Sequence, residues 1–405
     1  MKHLAACVVL AGCNSLLGNH DFAGPDKVPT CADRDLPSTA LSGTVFAPNG
    51  TLPIYNALVY VPAGPLDDIP DGPSGPTCAS GSPAVTAFSD THGQFKLEGV
   101  PVGVDIPLVI QVGKWRRAVT VPPVAECTVT AVDASLTHLP RDRSEGHIPR
   151  IAITTGLSDT LECLARDLGL ADSEIGAGAA SAGRVRLYAG NGARGTTAGT
   201  AFEPLGALVN PATLAQYDAV MIGCSGAPTQ TSAVPPGPAS LFDFTNRGGW
   251  LWLTHFEFPW LQRGPAPWST IGTFINDNKT LTVGSSIVID QSSPHGQAFA
   301  EWSAAADVPG GPGTVTLQYG RSACTAADPA ARRILSVDPA TAGFAGVQMF
   351  AWDAAMGGRM VFSDVHLSGT NLTGPMTYPD ECVSPPPEQE KVILFQMFDT
   401  PTCVN

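Results

Sequence analysis

Cys224, His255, Asp364 and His366 are the residues of this chain whose types fit nucleophilic chemistry: a thiol, two imidazoles and a carboxylate, each set at or just past the end of an apolar run. A cysteine attacks a carbonyl as the thiolate, which a neighbouring imidazole generates by taking its proton and which a carboxylate helps to orient. The same stretch offers a metal-type set in His255, Glu257, Asp364 and His366, because imidazole and carboxylate suit zinc or iron where three of them converge. His255 and Glu257 are two residues apart, and on a continuing strand that spacing puts both on one face. No HExxH or HxxE spacing closes such a set, however, and a histidine at a strand end is more often a hydrogen-bonding structural group, so no metal and no cofactor is expected. The plainer reading of Cys224 is a disulfide or a buried thiol.

These residues need elements that bring them together, and residues 150–405 supply an α/β pattern. Arg150 to Thr154 reads as a buried strand, and Gly156 opens a helical spacing of Leu157, Leu161, Leu164 and Leu168 that Gly169 stops. Further strands are expected at 185–189, 218–223 and 250–254, with helices near 210–216 and 238–247. Strands over SIVID, TVTLQY, RRILSV, GVQMFAW and RMVFSD, and a helix at 295–305, then lead to a closing helix at 387–398. Such alternation predicts an open, mostly parallel sheet covered on both faces, with ligands beyond the carboxyl ends of its strands, where all four candidates fall.

Tyr217-Asp218 leading to GCSGAP, then Asn246-Arg247-Gly248-Gly249, then Thr254-His255, and finally the run Gly358 to His366 make this half similar to class I glutamine amidotransferase-like, ThuA-like domains of flavodoxin-like fold. In amidotransferases the strand after the Gly-Gly helix ends in a G-x-C-x-G elbow, a strained turn that exposes a thiolate beside backbone N–H donors. Here that place reads Leu253-Thr254-His255-Phe256, and His366 is followed by Leu367 and Ser368 rather than by an orienting glutamate two residues on. The resemblance therefore implies a degenerate site.

Between residues 41 and 135 the chain changes class. Seven short β-type segments, LSGTVFA, NALVYVP, AVTAFSD, GQFKLEG, IPLVIQV, RAVTV and CTVTAV, alternate with Gly, Pro, Asn and Asp, which predicts a sandwich. With Gly43 in the first strand, Asn56-Ala57 before the second and a D-x-x-G-x-F hairpin at Asp90, Gly93 and Phe95, the region resembles the carboxypeptidase regulatory-like, transthyretin-like β-sandwich. That family carries no catalytic residues into this domain.

The first residues, MKHLAACVVLAGC, hold one early Lys and a short apolar run, the pattern of a secretory signal. Leu10-Ala11-Gly12-Cys13 resembles the lipobox of bacterial lipoproteins, which implies acylation of Cys13 and a membrane anchor, and Asn14 in the following position points to the outer membrane or cell surface. The organisation expected is a signal peptide at 1–12, a tether at 13–40, the sandwich at 41–135, a charged linker at 136–149 and the α/β domain at 150–405. In this order the chain resembles the carboxypeptidase regulatory-like lipoproteins of myxobacteria, a resemblance that carries no activity with it. Setting aside Cys7 and Cys13, eight cysteines remain, an even number that reads as disulfides in an exported chain; Cys382 and Cys403, which bracket the last helix, are the expected pair.

The 405 residues include 43 Gly and 37 Pro, only 14% are charged, and the net charge is −14. Few charges with an acidic excess exclude nucleic acid as a partner, since phosphate binding needs clustered Lys and Arg. P-loop, G-x-G-x-x-G and G-x-S-x-G signatures are missing. For binding, Trp260 in a Pro-rich loop and Trp115 with Arg116 are the candidate contacts for an envelope glycan or a protein. The expectation is a lipid-anchored, non-catalytic binding protein of the envelope; the competing expectation is a hydrolase or amidase using Cys224, His255, Asp364 and His366.

Overall fold

The computed structural model describes residues 29–75, 78–177, 181–233, 236–276, 279–338, 346–367, 377–382 and 387–399. All seven segments read as strands in the first domain form one: β1 (Ala40–Thr44), β2 (Leu58–Pro62), β3 (Pro83–Phe88), β4 (Gln94–Glu98), β5 (Pro107–Val112), β6 (Trp115–Thr120) and β7 (Val129–Ala131). They divide into a sheet of order β4-β1-β7 and a larger one of order β3-β2-β5-β6-β8, the last strand being the short β8 (Gly146–His147). Alternation along β4 buries Phe95 and Leu97 against Leu41, Val59 and Ile110 between the sheets. The hairpin into β4 is built by Asp90, whose Oδ1 accepts from the backbone N–H of His92 and Gln94 (both 2.8 Å), with Gly93 at φ 73°.

Residues 136–149 are packed rather than free. Leu139 and Ile148 are fully buried, and β8 pairs with Arg116 and Arg117 of β6, so this charged, Pro-containing segment closes the sandwich on its way to the second domain.

The second domain is one eleven-stranded mixed sheet. Its strands are β9 (Ile151–Thr154), β10 (Ile175–Ala177), β11 (Val185–Ala189), β12 (Glu203–Pro204), β13 (Ala219–Ile222), β14 (Trp250–Thr254), β16 (Ser285–Ile289), β17 (Thr314–Leu317), β19 (Arg332–Val337), β20 (Val347–Asp353) and β21 (Arg359–Ser363); β15 (Gly272–Phe274) and β18 (Cys324–Ala327) make a separate pair. The path β10-β11-β9-β13-β14-β21 is parallel, and beyond β21 the strands β20, β19, β16 and β17 run antiparallel to their neighbours. The sheet is thus mostly parallel, as the alternation predicts, with an antiparallel flank beyond β21. In chain order β9, β11, β13, β14 and β21 occupy positions 2-1-3-4-5, a doubly wound order whose crevice opens where the chain switches direction, between β9 and β13.

One helix differs from its expected start. The helical spacing from Gly156 begins only at Leu161 (Leu161–Asp167), and residues 155–160 form a turn at the carboxyl end of β9 instead. Gly156 permits this turn: a Cβ there would lie 2.1 Å from the Asp159 carbonyl oxygen.

The closing helix Pro387–Phe398 is wedged between the two domains. Phe395 stacks on Tyr55 of the sandwich side (6.4 Å) and on Phe299 (4.7 Å), and Phe398 packs on Trp115 (5.8 Å). Two disulfides join distant segments, Cys31–Cys127 and Cys163–Cys382, and Cys78 is also disulfide-bonded. The expected Cys382–Cys403 pair is corrected: Cys382 reaches back 219 residues to the first helix of the α/β domain, because the turn at 377–382 packs over that helix. Cys403 and the proposed anchor Cys13 lie outside the described residues. No helix among the described residues is long and apolar enough to cross a membrane.

Candidate functional site

Parallel register sets the site. Thr154 pairs with Ile222, Ile222 with Leu253, and Thr254 with Ser363, so β9, β13, β14 and β21 end at one level. The residues that follow are therefore neighbours: the 155–160 turn, Gly223-Cys224, His255, and Asp364 to His366. Cys224 Sγ lies 3.5 Å from His255 Nδ1, the His255 and His366 rings meet edge-on at 5.1 Å, and one ligand atom from each of Cys224, His255 and His366 lies within 4.8 Å of the others.

His255 stands at the end of β14 with φ 39°, a left-handed conformation unusual for a non-glycine residue. The chain turns sharply there into the short 3-10 turn His255–Glu257. The backbone is thus strained at this strand end, where an imidazole stands.

His366 is fixed by its backbone partner: Nδ1–H donates to the Ser158 carbonyl at 3.0 Å, which leaves Nε2 as the lone-pair nitrogen. Burial pushes its pKa down to about 4, so the ring is neutral. Nε2 makes no hydrogen bond among the described residues. Alongside, Asp159 Oδ1 accepts from the Leu367 N–H at 3.0 Å, and burial pushes the Asp159 carboxyl up to about 7.

Asp364 does not join the triangle. Its Oδ2 accepts from the Cys324 N–H at 2.9 Å, and its backbone carbonyl from Arg321, so it holds the 321–324 segment instead of orienting a histidine. The orienting carboxylate expected from sequence is corrected accordingly. Burial pushes its pKa up to about 7.

Glu257 is likewise turned away from the histidines, accepting from Thr229 Oγ1 (2.6 Å), Trp260 Nε1 (2.8 Å) and the Ser225 N–H (3.2 Å). This fixes the loop after Cys224. It also corrects the role expected of Trp260, which is fully buried with its indole N–H spent on Glu257. Trp115 is 5% exposed against Phe398, so it does not offer the open aromatic surface that its sequence context suggested, while Arg116 is half-buried with Nη1 donating to Ser80 at 3.3 Å. The neighbouring Lys114 is spent on a buried ion pair with Asp218.

Cys224 is fully buried, and burial pushes its thiol up to about 12, opposed by backbone N–H contacts and reinforced by the nearby Glu257 and Asp159. As a free thiol at neutral pH it is protonated and shielded, the reverse of what nucleophilic catalysis needs. Chemically the triangle offers a sulfur and two imidazoles around one point, a donor set for a soft or borderline cation.

Sequence reasoning missed Ser158 and Asp159, which lie in a stretch read as helix; a glycine followed by polar residues directly after a buried strand was the available signal.

No family model and no curated protein matches this chain. Among solved structures the chain is similar to a ThuA-like protein from Bacteroides uniformis, at 8% identity and a TM-score of 0.36 over 62% of this chain and 91% of that one. It is also similar to a chain of a type II cohesin–X-dockerin complex from Acetivibrio cellulolyticus, at 15% identity and a TM-score of 0.19 over 32% of this chain and 84% of that one.

Proposed function

We propose that this chain is an exported, lipid-anchored envelope protein that binds rather than catalyses, with a transthyretin-like sandwich docked on a flavodoxin-like, amidotransferase-like domain whose hydrolytic site has degenerated. One observation carries the reading. At the elbow position after β14 stands His255, and the adjacent thiol, Cys224, sits one strand away, fully buried and held protonated. Disulfides closing loops of 96 and 219 residues support folding in an oxidising compartment. Anchoring through Cys13 implies a membrane partner, and the bound molecule is an envelope glycan or protein.

The competing reading, a thiol hydrolase or amidase, draws on the 3.5 Å approach of Cys224 to His255. A panel of amide and ester substrates separates the two. No turnover by the full chain, together with incorporation of a clickable fatty acid that Cys13→Ser abolishes, is the expected result. Turnover lost in His255→Ala would overturn the binding reading, and an unlabelled wild type would overturn the anchor.

A further inference from the structure

We propose that Cys224, His255 and His366 form a buried metal site for a single zinc-like cation, one that accepts sulfur and imidazole donors. The inference goes beyond the binding function above and stands or falls separately from it.

Geometry is the first ground. With metal–sulfur at about 2.3 Å and metal–nitrogen at about 2.0 Å, a tetrahedral centre places sulfur and nitrogen roughly 3.5 Å apart. Cys224 Sγ and His255 Nδ1 are 3.5 Å apart, and the ligand atoms of all three residues fit within 4.8 Å.

The second ground is the orientation of His366. A metal-bound histidine characteristically donates its other ring N–H to a backbone carbonyl or carboxylate, which fixes the tautomer and aims the lone pair. His366 Nδ1–H donates to the Ser158 carbonyl, and its buried Nε2 has no hydrogen-bond partner among the described residues. A buried imidazole nitrogen without a partner is costly unless something accepts its lone pair.

Metal binding ejects the thiol proton as Cys224 becomes a thiolate ligand, while both imidazoles bind in the neutral form.

The sequence shows no closed ligand motif because the three donors come from three strand ends, 31 residues apart at the nearest. Three protein ligands leave room for a fourth donor.

The test uses the purified full chain. Elemental analysis of the protein as isolated should give about one equivalent of zinc. Chelator-treated protein refolded with cobalt(II) should develop a sulfur-to-cobalt charge-transfer band in the near ultraviolet together with visible d–d bands. Cys324→Ser, which removes the other free thiol among the described residues, should retain the band, and Cys224→Ser should lose it. His366→Ala should weaken cobalt binding at least tenfold. Should Cys224→Ser fail to fold, the band in Cys324→Ser decides, because Cys224 is then the free thiol left among the described residues to form the metal–sulfur bond. Folded wild type that holds no metal and shows no such band, or a band that survives in both Cys224→Ser and His366→Ala, would overturn the proposal.

Discussion

Lys114 Nζ lies 2.5 Å from Asp218 Oδ1 with both side chains 6% exposed, so one buried ion pair fastens the turn between β5 and β6 to the foot of β13. Lys114 also donates to the Pro70 and Gly72 carbonyls, and Asp218 Oδ2 accepts from the Arg150 N–H. Lys114 is thus held by carbonyls of its own domain and by Asp218 across the interface, and Asp218 by Lys114 and by the backbone at the start of its own domain. Lys114→Met should therefore cost about 3–5 kcal/mol in chemical denaturation, because it strands a buried carboxylate. Adding Asp218→Asn should recover part of that loss; a double variant as unstable as the single would show that the pair is not what couples the domains.

The Cys163–Cys382 disulfide spans 219 residues and ties the first helix of the α/β domain to the turn before the closing helix. Replacing both cysteines by alanine should lower stability by about 2–5 kcal/mol, measured by thermal and urea unfolding. Non-reducing peptide mapping of the wild type should recover this pair; recovery of Cys382 joined to Cys403 would contradict the structure.

Glu162 and Glu381 directly precede those two cysteines and share one buried site. Burial pushes both carboxyl groups above their ordinary value of 4.5, and at Glu162 the neighbouring Glu381 adds to the rise. The folded state then holds protons that the unfolded state releases, so stability falls as pH rises through and above 4.5. The unfolding free energy should decline as pH rises above about 4.5. Glu162→Gln should flatten that decline, and an unchanged slope in this variant would place the protons elsewhere.

Gly156 has no room for a side chain, since a Cβ would meet the Asp159 carbonyl at 2.1 Å and the Cys224 carbonyl at 3.2 Å. Gly156→Ala should cost about 1–3 kcal/mol by forcing the turn away from β13. The same displacement should shift the imidazole NMR signals of His366, whose partner Ser158 sits in that turn. Unperturbed stability and signals would mean that the turn is not the support of the site.

Much of the fold was legible because its signals are local. Buried strands such as Val185–Ala189, Trp250–Thr254 and Arg332–Val337 are short apolar runs bounded by turn residues, and they form where they were read. The convergence of Cys224, His255 and His366 was legible as well, since all three follow strands expected to be parallel neighbours. What was not legible depends on tertiary packing. Asp364 and Glu257 follow the right strands, but which way each carboxylate turns is decided by Cys324, Thr229 and Trp260, whose positions no spacing encodes. Trp115 and Trp260 looked like surface aromatics because Pro-rich or charged residues flank them, yet the closing helix and the Glu257 carboxylate bury them. Disulfide partners are invisible to local pattern for the same reason: Cys163 and Cys382 meet only once the α/β domain is assembled.

The central claim is that the strand-end crevice holds no accessible thiol nucleophile, and alkylation of the folded, full-length protein tests it most directly. Iodoacetamide at neutral pH, followed by peptide mass spectrometry, should leave Cys224 and Cys324 unmodified until denaturant is added, both being fully buried. Rapid modification of Cys224 alone in the folded protein, with loss of an amide-hydrolysing activity in step, would contradict the account and establish a thiol enzyme.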